Sequence, residues 1–142
     1  MKKTAVTMVV MLFATLTFAQ KMQEKNVPAN VKSTFQKKYP TAKEVKWDKE
    51  GEKYEASFDL NKTDNSVLMD GQGNIIETEV EIELNQLPKG VLEYVKANYK
   101  GQKVKEAAKI TDAKGTVTYE AEIKGMDILF DSTGKFIKEI KN

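Results

Sequence analysis

Glu77, Glu79, Glu81 and Glu83 recur at every second position, separated by Thr78, Val80, Ile82 and Leu84. On a strand, where side chains alternate between faces, this spacing lines the carboxylates up in one row that could hold a metal or a cationic partner. The favoured reading is plainer: a solvated face, or one paired with lysines on the adjacent strand. Like charges so spaced also oppose edge-to-edge aggregation. Asp70-Gly71-Gln72-Gly73-Asn74 would offer calcium ligands at alternate positions, but Ile75 falls where an EF-hand loop needs glycine. A hairpin turn is expected there instead. Trp47, Tyr54 and Tyr119 could stack on sugars or bases. Tyr54 and Tyr119, however, share their face with Ala and with Phe or Ile, which predicts core packing. Trp47 stands apart, because its counterpart in the second half, read as Ile110, is not aromatic.

Histidine and cysteine are both absent. With them go the imidazole base, the thiolate nucleophile and the usual zinc set. Ser33, Ser57, Ser66 and Ser132 fall in a helix, an exposed strand face, a strand start and a turn, and Gly-x-Ser-x-Gly is missing. A Ser/Lys or carboxylate pair stays formally open, but the chain reads as a non-enzyme with no catalytic, cofactor-binding or metal residues and no cofactor.

The elements that would position these residues come in duplicate. Val27-Pro28, Tyr39-Pro40, Tyr54-Glu55-Ala56 and Asp70-x-x-Gly73 are answered by Leu87-Pro88, Tyr99, Tyr119-Glu120-Ala121 and Asp131-x-x-Gly134. The offset is 60 at the prolines (88 − 28) and 61 at the aspartates (131 − 70). Two copies of one supersecondary unit are therefore expected. Val27, Val31, Phe35 and Tyr39 form an apolar stripe on one short helix, and Leu87, Val91, Leu92, Val95 and Tyr99 on another, each of about three turns. Strands follow wherever the period drops to two. Residues 53–60 place Tyr54, Ala56, Phe58 and Leu60 on one face, and residues 116–124 place Val117, Tyr119, Ala121 and Ile123 likewise. Flanking strands are read at 44–47, 66–69, 75–84, 104–110, 126–130 and 135–140. A long polar loop is expected over 61–65, a tight hairpin at Lys124-Gly125, and a longer turn around 111–115.

Each unit then reads as helix plus four strands (αββββ), the first over 27–84 and the second over 85–142. The predicted fold is α+β: one curved antiparallel sheet of about eight strands with both helices on one face and the other face wet. Residues 20–26, polar and without periodicity, read as a flexible lead-in. Residues 1–19 carry Lys2-Lys3, an apolar run from Ala5 to Phe18 and then Ala19, the pattern of a secretory signal peptide. The absence of cysteine excludes a lipobox anchor. Loss of that leader removes two lysines from 23 basic residues, leaving 21 against 21 acidic ones. Every basic residue is lysine, so guanidinium forks are missing from this chain. Such a balance argues against nucleic acid and membrane surfaces as partners.

The doubled series from Val27-Pro28 and from Leu87-Pro88 resembles the PepSY-like, beta-lactamase-inhibitor-protein-like family of exported bacterial proteins over nearly the whole mature chain. The resemblance implies tandem helix-plus-four-strand units and a periplasmic or outer-surface location, and it carries no functional residue across. The expected function is a non-catalytic protein-binding or regulatory module that grips another envelope protein, such as a peptidase or hydrolase, through its helix-free face. Lys53, Glu55, Ser57, Glu77, Glu79, Thr118, Glu120 and Glu122 are the candidate binding residues. The alternative is a periplasmic carrier of a small molecule or ion, bound between the two repeats near Trp47.

Overall fold

The computed structural model describes residues 20–142; the predicted leader lies outside the described residues. Among the described residues, two α-helices and nine strands make an α+β architecture that divides into two units, one ending at Asn74 and one spanning Ile75–Asn142.

In the first unit β1 (Gln20–Met22) and a 3-10 turn precede α1 (Ala29–Lys38), and β2 (Lys43–Glu50), β3 (Lys53–Leu60) and β4 (Thr63–Met69) follow it. The strands pair antiparallel in chain order. The apolar stripe of α1 buries Val31 and Phe35. The Phe35 ring lies edge-on to Trp47 at 5.3 Å and to Phe58 at 5.0 Å, which docks the helix on β2 and β3.

The second unit repeats the plan with β5 (Ile75–Ile82), a 3-10 turn, α2 (Val91–Asn98), β6 (Glu106–Asp112), β7 (Val117–Ile123) and β8 (Met126–Asp131), and then adds β9 (Phe136–Lys141). Val91 and Val95 of α2 bury against Ala107, Ala121, Ile123, Ile128 and Phe130. Tyr94 stacks on Phe136 with ring centres 5.2 Å apart.

Three expectations change. The lead-in is structured: Gln20–Met22 pairs with β2, Met22 standing opposite Trp47 as Ile82 stands opposite Ala107. The offset of 60 that relates the copies thus extends to β1 and β5. By the division at Asn74, β5 groups with the second unit instead of closing the first, so each unit has one strand before its helix, while along the chain each helix is still followed by four strands. The long loop over 61–65 is a two-residue hairpin, with Leu60 opposite Thr63. Asn61 and Lys62 both take positive φ, as the twist-matched hairpin turn requires, and Asp59 accepts the Lys62 amide at 2.9 Å.

Asp-x-x-Gly acts as a turn three times. Asp70, Asp112 and Asp131 each accept backbone amides from two and four residues on, at 2.8 to 3.0 Å. Those bonds hold each carboxyl below its usual range. The second oxygen of Asp70 takes the Asn74 side-chain amide at 2.8 Å, so the hairpin reading accounts for the stretch that resembled a calcium loop.

Candidate functional site

The helix-free face of the second unit is set by the alternation that builds its core. On β7, Tyr119, Ala121 and Ile123 pack on the helix side, which sends Thr118, Glu120 and Glu122 to the other face. Residues directly opposite in an antiparallel pair share a face, so the register extends this layer across the sheet. Glu120 faces Ala108 on β6 and Leu129 on β8, and Glu122 faces Glu106 and Asp127. From β5, Glu79 faces Ile110 and Glu81 faces Ala108, with Glu77 two residues before Glu79 on the same side. Carboxylates from four strands therefore stand around an apolar floor of Ala108, Ile110 and Leu129. On β9, Lys138 stands opposite Leu129 at the margin and is exposed.

This layer is not wet, contrary to expectation. Glu79 keeps 3% of its surface, Glu120 4% and Asp127 none, and the floor residues are buried too. The register explains it: long acid side chains from adjacent strands share one face with the small Ala108 and with the bulky Ile110 and Leu129. Glu79 Oε2 and Glu120 Oε2 are buried without a hydrogen-bond partner. Burial, then Glu77 and Asp127, push the Glu79 carboxyl up to about 8. Burial, then Glu79, Asp127, Glu122 and Glu77, push Glu120 up to about 10. Both hold their protons at neutral pH, which is how like charges coexist in so dry a layer. Asp127 is also raised by burial, with the Asn142 side chain pulling the other way. Glu122 is raised by burial and by Glu106 and Asp127, against the pull of Lys105.

The equivalent face of the first unit is chemically different. Glu55, again buried and again opposite a buried leucine, Leu68, has Asp48 on its other side. Ser57 lies between Lys46 and Ser66, and Lys53 faces Glu50. Burial raises the Glu50 carboxyl, while its hydrogen bond with Glu55 and the charge of Lys53 draw it down. Of the candidate residues, Glu77, Glu79, Glu120 and Glu122 come together in the second unit, and Lys53, Glu55 and Ser57 in the first. Thr118 faces Ile110 and Asp131. Asp127 was not anticipated, although it is the lone acid within the apolar run Met126–Phe130. Among the described residues, no group of three or more acids is arranged to hold a metal ion.

Trp47 is buried, and its counterpart by register is Ala107, not Ile110. Beside it, Met22, Val45 and Phe58 with Lys46, Asp48 and Asp59 line a cleft of about 580 Å³ within the first unit. Its rim includes Glu44, held at φ 52° where β2 bulges between Lys43 and Lys46. Tyr54 and Tyr119 are half-buried in their sheets, and Tyr119 packs against the core.

A family model described as "Putative beta-lactamase-inhibitor-like, PepSY-like" matches residues 17–77 and again 61–138. The chain belongs to the PepSY-like family. Its doubled match agrees with two repeats. A solved structure of "putative periplasmic proteins" from Bacteroides eggerthii is similar at 20% identity and TM-score 0.71, covering 81% of this chain and 88% of that one. A DUF2874 family protein from Bacteroides uniformis is similar at 27% identity and TM-score 0.69, covering 80% and 88%. A BLIP-like protein from Bacteroides fragilis shares the fold at 22% identity and TM-score 0.62, covering 80% and 86%. No curated protein matches. Among the described residues, no helix is long and apolar enough to cross a membrane.

Proposed function

We propose that this PepSY-like protein is an exported, non-catalytic binding module that holds another envelope protein on the helix-free sheet face. The observation that carries this reading is the layer around Glu79, Glu120 and Asp127: buried carboxyls whose oxygens are incompletely matched within the chain. Burying such groups is costly to stability and is retained where a site needs them. The family description makes inhibition of an envelope peptidase or hydrolase the form of binding to assay first. The test is in-cell crosslinking and co-purification with the native chain and with Glu55→Lys and Glu120→Lys variants whose fold is checked by circular dichroism. Loss of the partner in the folded variants supports the reading. Retention of every partner sinks it.

The cleft beside Trp47 favours a second reading, a carrier of a small molecule or ion. Native mass spectrometry of the protein from its own periplasm separates the two, since a retained small mass supports the carrier and a co-purifying polypeptide the binder.

A further inference from the structure

We infer that the second unit's carboxylate layer is a receptor for one cationic side chain, a lysine or arginine projecting from the partner protein. The inference rests on the protein-binding reading above and specifies its chemistry. Three observations carry it. First, β5, β6, β7 and β8 each contribute acids to one face, and Lys138 and Lys105 lie only at its margins. Second, Glu79 and Glu120 are more than nine-tenths buried, and each keeps a carboxyl oxygen with no hydrogen-bond partner. An entering ammonium or guanidinium brings both the donors and the charge that those oxygens lack. Third, the floor between them is apolar, made by Ala108, Ile110 and Leu129. An aliphatic stem suits such a floor while its charged head meets the acids. A bare metal ion gains nothing from the floor and wants converging oxygens, an arrangement not found among the described residues.

Entry is coupled to protons. Glu79 and Glu120 are protonated at neutral pH in the free protein. Each carboxyl that pairs with the cation gives its proton to solvent, its O–H electrons staying on the carboxylate. The other charged side chains on this face are Glu77 and Glu81 on β5, Glu106 and Asp112 on β6, Glu122 on β7, Asp127 and Asp131 on β8 and Lys138 on β9, with Lys105 beside Glu122. Binding therefore tightens as pH rises from 6 to 9, whereas a site already ionised would bind guanidinium equally well across that range.

The probe is butylguanidinium chloride, titrated into the mature chain carrying ¹³C-labelled carboxyl groups and followed by NMR. Calcium chloride and magnesium chloride serve as comparison cations. The expected result is a saturable shift of the Glu79, Glu120 and Asp127 carboxyl carbons, tightening with pH, and weakened about tenfold in the near-isosteric Glu120→Gln variant. Shifts spread evenly over exposed acids such as Glu52 and Asp64 overturn it, as does calcium moving the buried carbons at lower concentration than butylguanidinium. If butylguanidinium fails while crosslinked partners still depend on Glu120, only this inference falls. If the partners are also indifferent to Glu55 and Glu120, the protein-binding reading falls with it.

Discussion

Glu120 stands directly across from Leu129 on neighbouring strands, and both are buried on the face that no helix of their unit covers. A carboxyl pressed against leucine in a dry layer is held protonated, and stability must then depend on pH. The folded pKa values, about 8 for Glu79 and about 10 for Glu120, lie above the unfolded value of 4.5. Between those limits the native chain binds more protons than the unfolded one, so stability falls as pH rises. The melting temperature is expected to decline from about pH 5 to pH 9. A Glu79→Gln/Glu120→Gln double variant should show a flatter profile; an unchanged slope would contradict the protonated layer.

The acid side has the opposite sign. Asp70, Asp112 and Asp131 are held below their usual range by the amides of their turns. Their contribution is present above the unfolded value of 3.8 and is lost as pH drops through the lowered folded values. Replacing all three with asparagine should blunt the fall in melting temperature below pH 4, a loss read directly by circular dichroism.

Gly73 and Gly134 should tolerate alanine worst among the turn glycines. Each has positive φ, and a Cβ would lie 2.8 Å from a backbone oxygen, that of Asn30 for Gly73 and that of Lys89 for Gly134. Gly115 also has positive φ but meets nothing within 4 Å. Urea unfolding should show a loss of about 1 kcal/mol for Gly115→Ala, from left-handed backbone alone. The other two should lose about 3 kcal/mol, because their backbones must also shift. Equal losses at all three would mean that packing at the helix starts is slack.

Trp47→Ala should cost about 3 to 5 kcal/mol, because it removes a buried ring that meets Phe35 edge-on. Trp47 is the only tryptophan. Its fluorescence should therefore be blue-shifted when folded and move red with loss of the first unit's core. An exposed-type spectrum in the native chain would contradict the packing.

Much of the architecture was legible because periodicity and turn chemistry agree. The stripe from Val31 to Phe35 and the alternation of Tyr54, Ala56 and Phe58 became a helix on a sheet, and Asp-x-x-Gly became a turn. β1 escaped notice because Gln20-Lys21-Met22 is too short to show alternation, although the offset of 60 would have placed it over Val80–Ile82. The hairpin at Asn61-Lys62 was hidden by lysine at positive φ, an uncommon choice for that position. The burial of the acids was illegible for a different reason. Alternation assigns Glu79 and Glu120 to a face but says nothing of how tightly neighbours on that face crowd, and Asp127, Ile110 and Leu129 complete the layer only through strand register.

The two copies keep the same small and bulky side chains beneath their helices, Ala56 with Val67 in one and Ala121 with Ile128 in the other. On the opposite side they have parted: Ser57 and Ser66 occupy the places that Glu122 and Asp127 hold in the later half. Helix-side packing is thus common to both halves, whereas at those four positions one half carries hydroxyls, which keep no charge at any working pH, and the other carboxyls, which change theirs.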